Sequence, residues 1–145
     1  MKHVWIALGV LTLLRLIFAA VVPPTPDEVY YWTWSRALAG GYVDHPAGIA
    51  IWIKVGTELF GQTPFGLRVL GPLAALAETF LLIDAARRMF PGRLAGCTIA
   101  MFFNATLIVG AGSALATPDA PLLLFWCVGV WALARIATGD RKSTR

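Results

Sequence analysis

The chain has 145 residues, of which 58% are hydrophobic and only 14% charged, and its mean hydropathy is +0.71. That much apolar surface exceeds what an ordinary soluble domain can hide, so the composition points to a bilayer. The formal charge of +4 is carried at segment ends rather than on a basic, aromatic-interleaved surface, which argues for membrane topology and against nucleic-acid binding. Cys97 and Cys127 each sit inside an apolar run, which excludes a disulfide framework or a zinc ribbon.

The run from Val4 to Val22 is too long for a signal-peptide core, and the Pro-rich stretch after it lacks a small-residue cleavage site, so it reads as an uncleaved anchor helix. From Pro23 to Gly66 the chain turns polar and aromatic. Two segments there, Asp27 to Ala39 and Pro46 to Phe60, have amphipathic helical patterns, the first ended by Gly40-Gly41 and the second interrupted by Lys54 and Glu58. Both are expected to lie along the membrane surface. A second span is expected from Leu67 to Met89, a turn at Phe90-Pro91-Gly92, a third span from Leu94 to Ala114, and a fourth from Pro121 to Ala137 with proline in its first turn. The fold class is therefore all-α: a polytopic membrane protein of about four transmembrane helices and two interfacial ones.

Lys2, then Arg87, Arg88 and Arg93, then Arg135, Arg141, Lys142 and Arg145 gather at alternate segment ends. By the positive-inside rule these ends and the N-terminus are cytoplasmic. The segments 23–66 and 116–120, which hold Asp27, Glu28, Asp44, Glu58 and Asp119, then share the outer face.

Asp27 and Glu28 are adjacent carboxylates at a helix start. Asp27 suits capping of a helix from Val29 onward, and it also suits general-base chemistry, because topology brings Asp119 to the same face. Asp44 and His45 precede Pro46; capping of the next helix by Asp44 is the default, with a divalent metal or phosphate contact as the alternative. Two side-by-side ligands do not make a metal site. Arg15, Glu78 and Asp84 fall inside spans, where charge is costly unless paired or snorkelling. An Arg15–Glu78 bridge is strained by the depth difference between them, so Arg15 is expected to reach an anionic headgroup, as is Arg68, for which interfacial anchoring is the alternative.

Four ordered blocks carry a resemblance: TPDEVYYWTWS (25–35), GYVDHPAGIA (41–50), GTELFGQTPFGLR (56–68) and ATPDAPLLLFW (116–126). Together they resemble the N-terminal part of the polyprenyl-phosphate-sugar glycosyltransferases, the protein-O-mannosyltransferase-like and aminoarabinose-transferase-like C-type membrane enzymes. The resemblance implies an inverting transfer of a sugar from a polyprenyl-phosphate donor to a hydroxyl of a lipid, glycan or protein acceptor at the outer face of a bacterial inner membrane. It implies catalytic roles for Asp27, Glu28 and Asp119, with Asp27 as the base, and substrate contacts from Tyr30, Asp44, His45, Arg15 and Arg68. It gives no cofactor as certain, with a divalent metal at Asp44 and His45 as the open alternative. Residues 1–145 are expected to form only the N-terminal module of the catalytic unit, to be completed by further chain. The competing readings are a non-catalytic subunit that binds polyprenyl lipid, and a small transporter component using Arg15, Glu78 and Asp84 as a pathway.

Overall fold

The computed structural model describes residues 2–92 and 94–143, with side chains as far as residue 139. Of the basic residues used for topology, Arg93 and Arg145 lie outside the described residues, as do the side chains of Arg141 and Lys142. The described residues form eight α-helices and one 3-10 turn, with no strand. In chain order the helices are α1 (Lys2–Val21), α2 (Pro26–Arg36), α3 (Gly48–Phe60), α4 (Pro64–Arg68), α5 (Leu70–Met89), α6 (Ala95–Ala105), α7 (Leu107–Gly110) and α8 (Asp119–Ser143), with the 3-10 turn at Gly112–Ala114 between the last two. Three stretches, Lys2–Val21, Pro64–Met89 and Asp119–Gly139, are long and apolar enough to cross a membrane. A bent pair over 95–114 makes a fourth if it is counted as one span. This is the architecture of an all-α, multi-pass membrane protein.

Helix α5 is the centre, packed against α8, α6 and α1. It can be approached closely because Gly71, Ala74, Ala75, Ala85 and Ala86 face its neighbours, and small residues let helix backbones come together where lipid offers no hydrophobic driving force. Helix α8 answers with Ala120, Cys127 and Ala134, buried at a seven-residue repeat. On α1 the buried set is Leu8, Thr12, Arg15 and Ala19, the period of one helix face. Its other faces expose Ile6, Val10, Leu13, Leu14 and Ile17, as a lipid-facing surface should.

The third span departs from expectation. It is not one helix over 94–114: α6 ends at Thr106, whose backbone is extended (φ −66°, ψ 144°), and the chain turns by 77° into α7 and the 3-10 turn. The break frees backbone carbonyls, which in a bilayer need protein donors. Arg15 supplies them, donating to the Val109 carbonyl at 2.7 Å, to the Gly110 carbonyl at 3.3 Å and to Asn104 Oδ1 at 3.1 Å. Asn104 in turn donates to Thr79 Oγ1 on α5 at 2.9 Å. The Arg15 guanidinium is thus engaged in closing the broken span. Glu78, close enough to feel the Arg15 charge, lines a small cavity of about 10 Å³ with Ser113 and Thr117, room for about one water. Asp84, the other acid of this span, accepts from Arg88 at 2.8 Å and from Trp131 of α8 at 2.9 Å.

The fourth span is longer than expected at both ends, because Asp119 already lies in its first turn and the basic tail continues the helix. The two helices expected in the first loop are α2 and α3, packed on one another and on α4. Their shared core is Trp34, Ile49, Ala50, Ile53, Leu67 and Ala116. Where α3 meets the start of α4, Gly56 and Gly66 bring the two backbones together, and a Cβ on either would collide with backbone carbonyl oxygen. Gly66→Ala is therefore expected to lower stability by about 1–3 kcal/mol, measurable as a drop in unfolding temperature in detergent, whereas Gly129→Ala, where a Cβ meets nothing within 4 Å, should leave it unchanged.

Candidate active site

The loop helices are positioned by a single buried ion pair. Arg68, at the end of α4, holds Glu28 bidentately, Nε to Oε1 and Nη2 to Oε2, both at 2.6 Å. The two side chains are 0% and 2% exposed, so the pair is enclosed and its remaining valences must be met by protein. They are. Arg68 also donates to the carbonyls of Val22 at 2.6 Å and Pro23 at 3.0 Å, where α1 ends, and Glu28 accepts from the backbone N–H of Thr25 at 2.8 Å and of Ala116 at 2.9 Å. Burial pushes the Glu28 carboxyl upward, but the hydrogen bonds from Arg68, Thr25 and Ala116 and the Arg68 charge outweigh it and hold the group below its ordinary value of 4.5. Glu28 and Arg68, expected in catalytic and substrate-binding roles, are fully occupied with each other and with backbone, which makes them the clamp of the site.

The helix start belongs to Thr25, not Asp27. Thr25 is the N-cap of α2, and Glu28 reaches back to its N–H while the Thr25 side chain accepts from Glu28 N, the reciprocal pairing of a capping box. The signal was present in the sequence as Thr25-Pro26-Asp27-Glu28, a T-x-x-E run that adjacent-acid reasoning passed over. With capping done by its neighbours, Asp27 is exposed and its carboxylate accepts no hydrogen bond among the described residues.

A cavity of about 640 Å³ opens beside this start, lined by Tyr31, His45, Ile49, Thr117, Asp119 and Phe125 among others. The Glu28 bond to Ala116 N fixes the strand of backbone that leads into Asp119, so the clamp sets the acid of α8 against the helix that carries Asp27. Tyr31, one turn after Asp27 on α2, lines this cavity with Asp119. Its hydroxyl is held above its ordinary value of 10.0 by burial and then by the charges of Asp27, Asp44 and Asp119. Asp27 does not itself line the cavity, but its charge reaches the tyrosine that does.

Asp44 and His45 sit in a tight turn closed by the Tyr42 N–H to His45 carbonyl bond at 3.0 Å and a bridge between Gly41 and Pro46. The expected capping by Asp44 does not occur: α3 starts at Gly48 with Ala47 as N-cap and no side-chain cap bond. Asp44 instead accepts from the Tyr30 hydroxyl at 3.2 Å, and partial burial followed by the Asp44 charge raises the Tyr30 hydroxyl above its ordinary value. His45 lines the cavity with Nε2 3.5 Å from the Tyr31 hydroxyl, its ring edge-on to Tyr31. The turn is held on α2 by Tyr42, stacked on Trp34 at 4.4 Å between ring centroids and bonded through its hydroxyl to the Trp34 carbonyl at 2.9 Å. Among the described residues no group of three or more His, Cys, Asp and Glu is gathered closely enough to hold a metal ion. Tyr31, Trp34 and Tyr42 were not singled out from sequence; the aromatic density of 30–34 was the available signal.

Set beside known proteins, residues 44–144 match the sequence pattern of the dolichyl-phosphate-mannose-protein mannosyltransferase family. The chain belongs to that family. It is also similar to the lipid A galacturonosyltransferase RgtD of Rhizobium johnstonii, at 32% identity over 120 residues, covering 81% of this chain and 24% of that protein. The chain thus spans about a quarter of the length of the curated relative it matches. No solved structure matches it. The family match takes in Asp44, His45, Arg68 and Asp119 and begins after Asp27 and Glu28, neither of which lines the cavity.

Removing one partner of an enclosed pair strands the other charge, so Arg68→Met or Glu28→Gln alone should lower stability by about 3–5 kcal/mol, and the double variant should recover part of the loss. Because the folded Glu28 value is depressed, its stabilisation is complete above the ordinary value of 4.5 and is lost as pH falls through the lower folded value. Unfolding temperatures across acid pH should show a decline in the parent chain that is shallower in Glu28→Gln.

Proposed function

We propose that this chain is the N-terminal module of a glycosyltransferase that moves a sugar from a polyprenyl-phosphate donor to an acceptor hydroxyl, with inversion, at the outer face of a bacterial inner membrane. The observation that carries the reading is the cavity lined by Asp119 and Tyr31, with apolar Ile49, Leu122 and Phe125 in its wall, where Tyr31 also feels the charge of Asp27, one turn before it on α2. Family membership supports the reaction class, and the similarity to a lipid A galacturonosyltransferase supports a lipid acceptor. The basic ends at Lys2, Arg87, Arg88 and Arg135, opposite the acidic loops, support a cytoplasmic N-terminus.

In this scheme Asp27 accepts the proton of the acceptor hydroxyl as its oxygen bonds to the anomeric carbon. The bond from that carbon to the phosphate oxygen breaks, and polyprenyl phosphate leaves with the electron pair. Asp27 suits the task because nothing else occupies its oxygens; Glu28, one residue on, is saturated and cannot serve. Asp119 orients the acceptor from across the cavity. Tyr30, Asp44 and His45 form the rim where the sugar enters, with His45 as the imidazole nearest the cavity. Arg15 and Arg68, whose donors are already spent, position the site without touching substrate. Residues 1–145 act in this reading as one part of a larger catalytic unit, with the remaining donor contacts supplied by further chain.

General-base catalysis contributes about 10²–10⁴-fold. Asp27→Asn should therefore lower transfer from radiolabelled polyprenyl-phosphate sugars in membranes by that order with no change in unfolding temperature, and Asp119→Asn should lower it less. Full activity in Asp27→Asn would remove the proposal; absence of transfer from every donor would favour an accessory lipid-binding subunit.

A further inference from the structure

Apart from the cavity, α2 and α3 enclose a second hollow of about 250 Å³, lined by Ser35, Arg36, Lys54, Thr57, Glu58 and Gln62. It shares no lining residue with the cavity beside Asp119. We propose that this hollow binds the anionic, hydroxyl-bearing headgroup of a membrane lipid, with the Arg36 guanidinium, laid on Trp32, as its principal contact.

The contrast with the two buried arginines of the bundle, Arg15 and Arg68, carries the first step. Every guanidinium nitrogen of Arg15 and Arg68 is hydrogen-bonded, to carbonyls, Asn104 or Glu28. Arg36 stands with its guanidinium carbon 5.0 Å above the Trp32 ring and donates to no acceptor among the described residues. Held over the Trp32 ring, the guanidinium keeps its N–H edge without an acceptor among the described residues, an arrangement that suits bidentate binding of phosphate or carboxylate. Trp32 is itself fixed, its Nε1 donating to Gln62 Oε1 at 2.7 Å; that bond orients the Gln62 amide so that its NH₂ remains to donate. Lys54 is paired with Glu58 at 2.9 Å, so two cations stand against one carboxylate and the hollow carries a net positive charge.

The floor has the opposite character. Ser35 Oγ donates to the Trp32 carbonyl at 2.6 Å and Thr57 Oγ1 to the Ile53 carbonyl at 2.9 Å. Both hydroxyl hydrogens are spent inward, and the oxygens are left as acceptors. Donors on the rim and acceptors on the floor fit a ligand with an anionic group and hydroxyls. The source of that ligand follows from the next face of α3: Ile51, Val55, Leu59 and Phe60 are 50, 43, 69 and 46% exposed, and helical geometry sets Ile51, Val55 and Leu59 directly beside Lys54 and Glu58. A polar hollow bordered by an exposed apolar stripe is the placement of an interfacial helix, so the ligand is a lipid headgroup with its chains along that stripe.

The test is calorimetric titration of the purified chain in non-ionic detergent with short-chain phosphatidylglycerol, short-chain phosphatidylcholine and glucose 6-phosphate, beside Arg36→Gln and Arg36→Lys. Phosphatidylglycerol is expected to bind in preference to phosphatidylcholine. Arg36→Gln should weaken it about tenfold or more, with unfolding temperature unchanged, and Arg36→Lys should fall between, since lysine keeps the charge but not the planar fork. Unaltered binding in Arg36→Gln, or no preference for the anionic lipid, would overturn the proposal; binding of glucose 6-phosphate without phosphatidylglycerol would overturn its lipid assignment.

Discussion

The Glu28–Arg68 pair is the constraint on which the rest of this structure depends. Four pieces of chain meet at it: the carbonyls that end α1, the first turn of α2, the last residue of α4 and the backbone that leads into α8. An enclosed ion pair is a poor source of net stability, since the cost of removing both charges from water offsets most of their attraction. What it supplies is geometry. A bidentate fork whose every guanidinium nitrogen is hydrogen-bonded holds one arrangement, and that arrangement sets the start of α2 against the backbone that leads into α8.

Neighbouring residues divide the work accordingly. Asp27 and Glu28 are adjacent in sequence, but successive positions on a helix point about 100° apart, and the inward one becomes the clamp while the outward one keeps its oxygens free. Arg15 repeats the logic deeper in the bundle. The bent third span presents carbonyls that no lipid can satisfy, and a guanidinium from α1 takes them up. Both arginines that a sequence reading would send to the substrate are thereby spent on holding the scaffold.

Much of the architecture was legible in the amino-acid sequence because it is written in runs of apolar residues: α1, α5 and α8, and the amphipathic pair α2 and α3, fall close to where hydropathy and Gly-Pro punctuation put them. The break at Thr106 was not, since residues 94–114 are apolar on both sides of it. Its trace was indirect, in Arg15 and Asn104, two polar side chains inside spans that demand acceptors. In the site, the capping-box run Thr25 to Glu28 was legible in the sequence, whereas the fate of Glu28 and Arg68 required knowing that residues 40 apart in sequence meet. Asp44 was read as a cap because it precedes a helix; the turn closed by Tyr42 and His45 holds it instead beside Tyr30.

The central claim, that the clamp brings Asp27 and Asp119 to one aqueous mouth, is tested most directly by cross-linking. Cysteines introduced as Asp27→Cys and Asp119→Cys, in a chain carrying Cys97→Ser and Cys127→Ala, would be treated in sealed vesicles with a membrane-impermeant bifunctional thiosulfonate. The account predicts an intramolecular link that is lost when Arg68→Met is added and the chain remains inserted. Failure of the two positions to link with the clamp intact, or a link that forms equally well without it, would contradict the account.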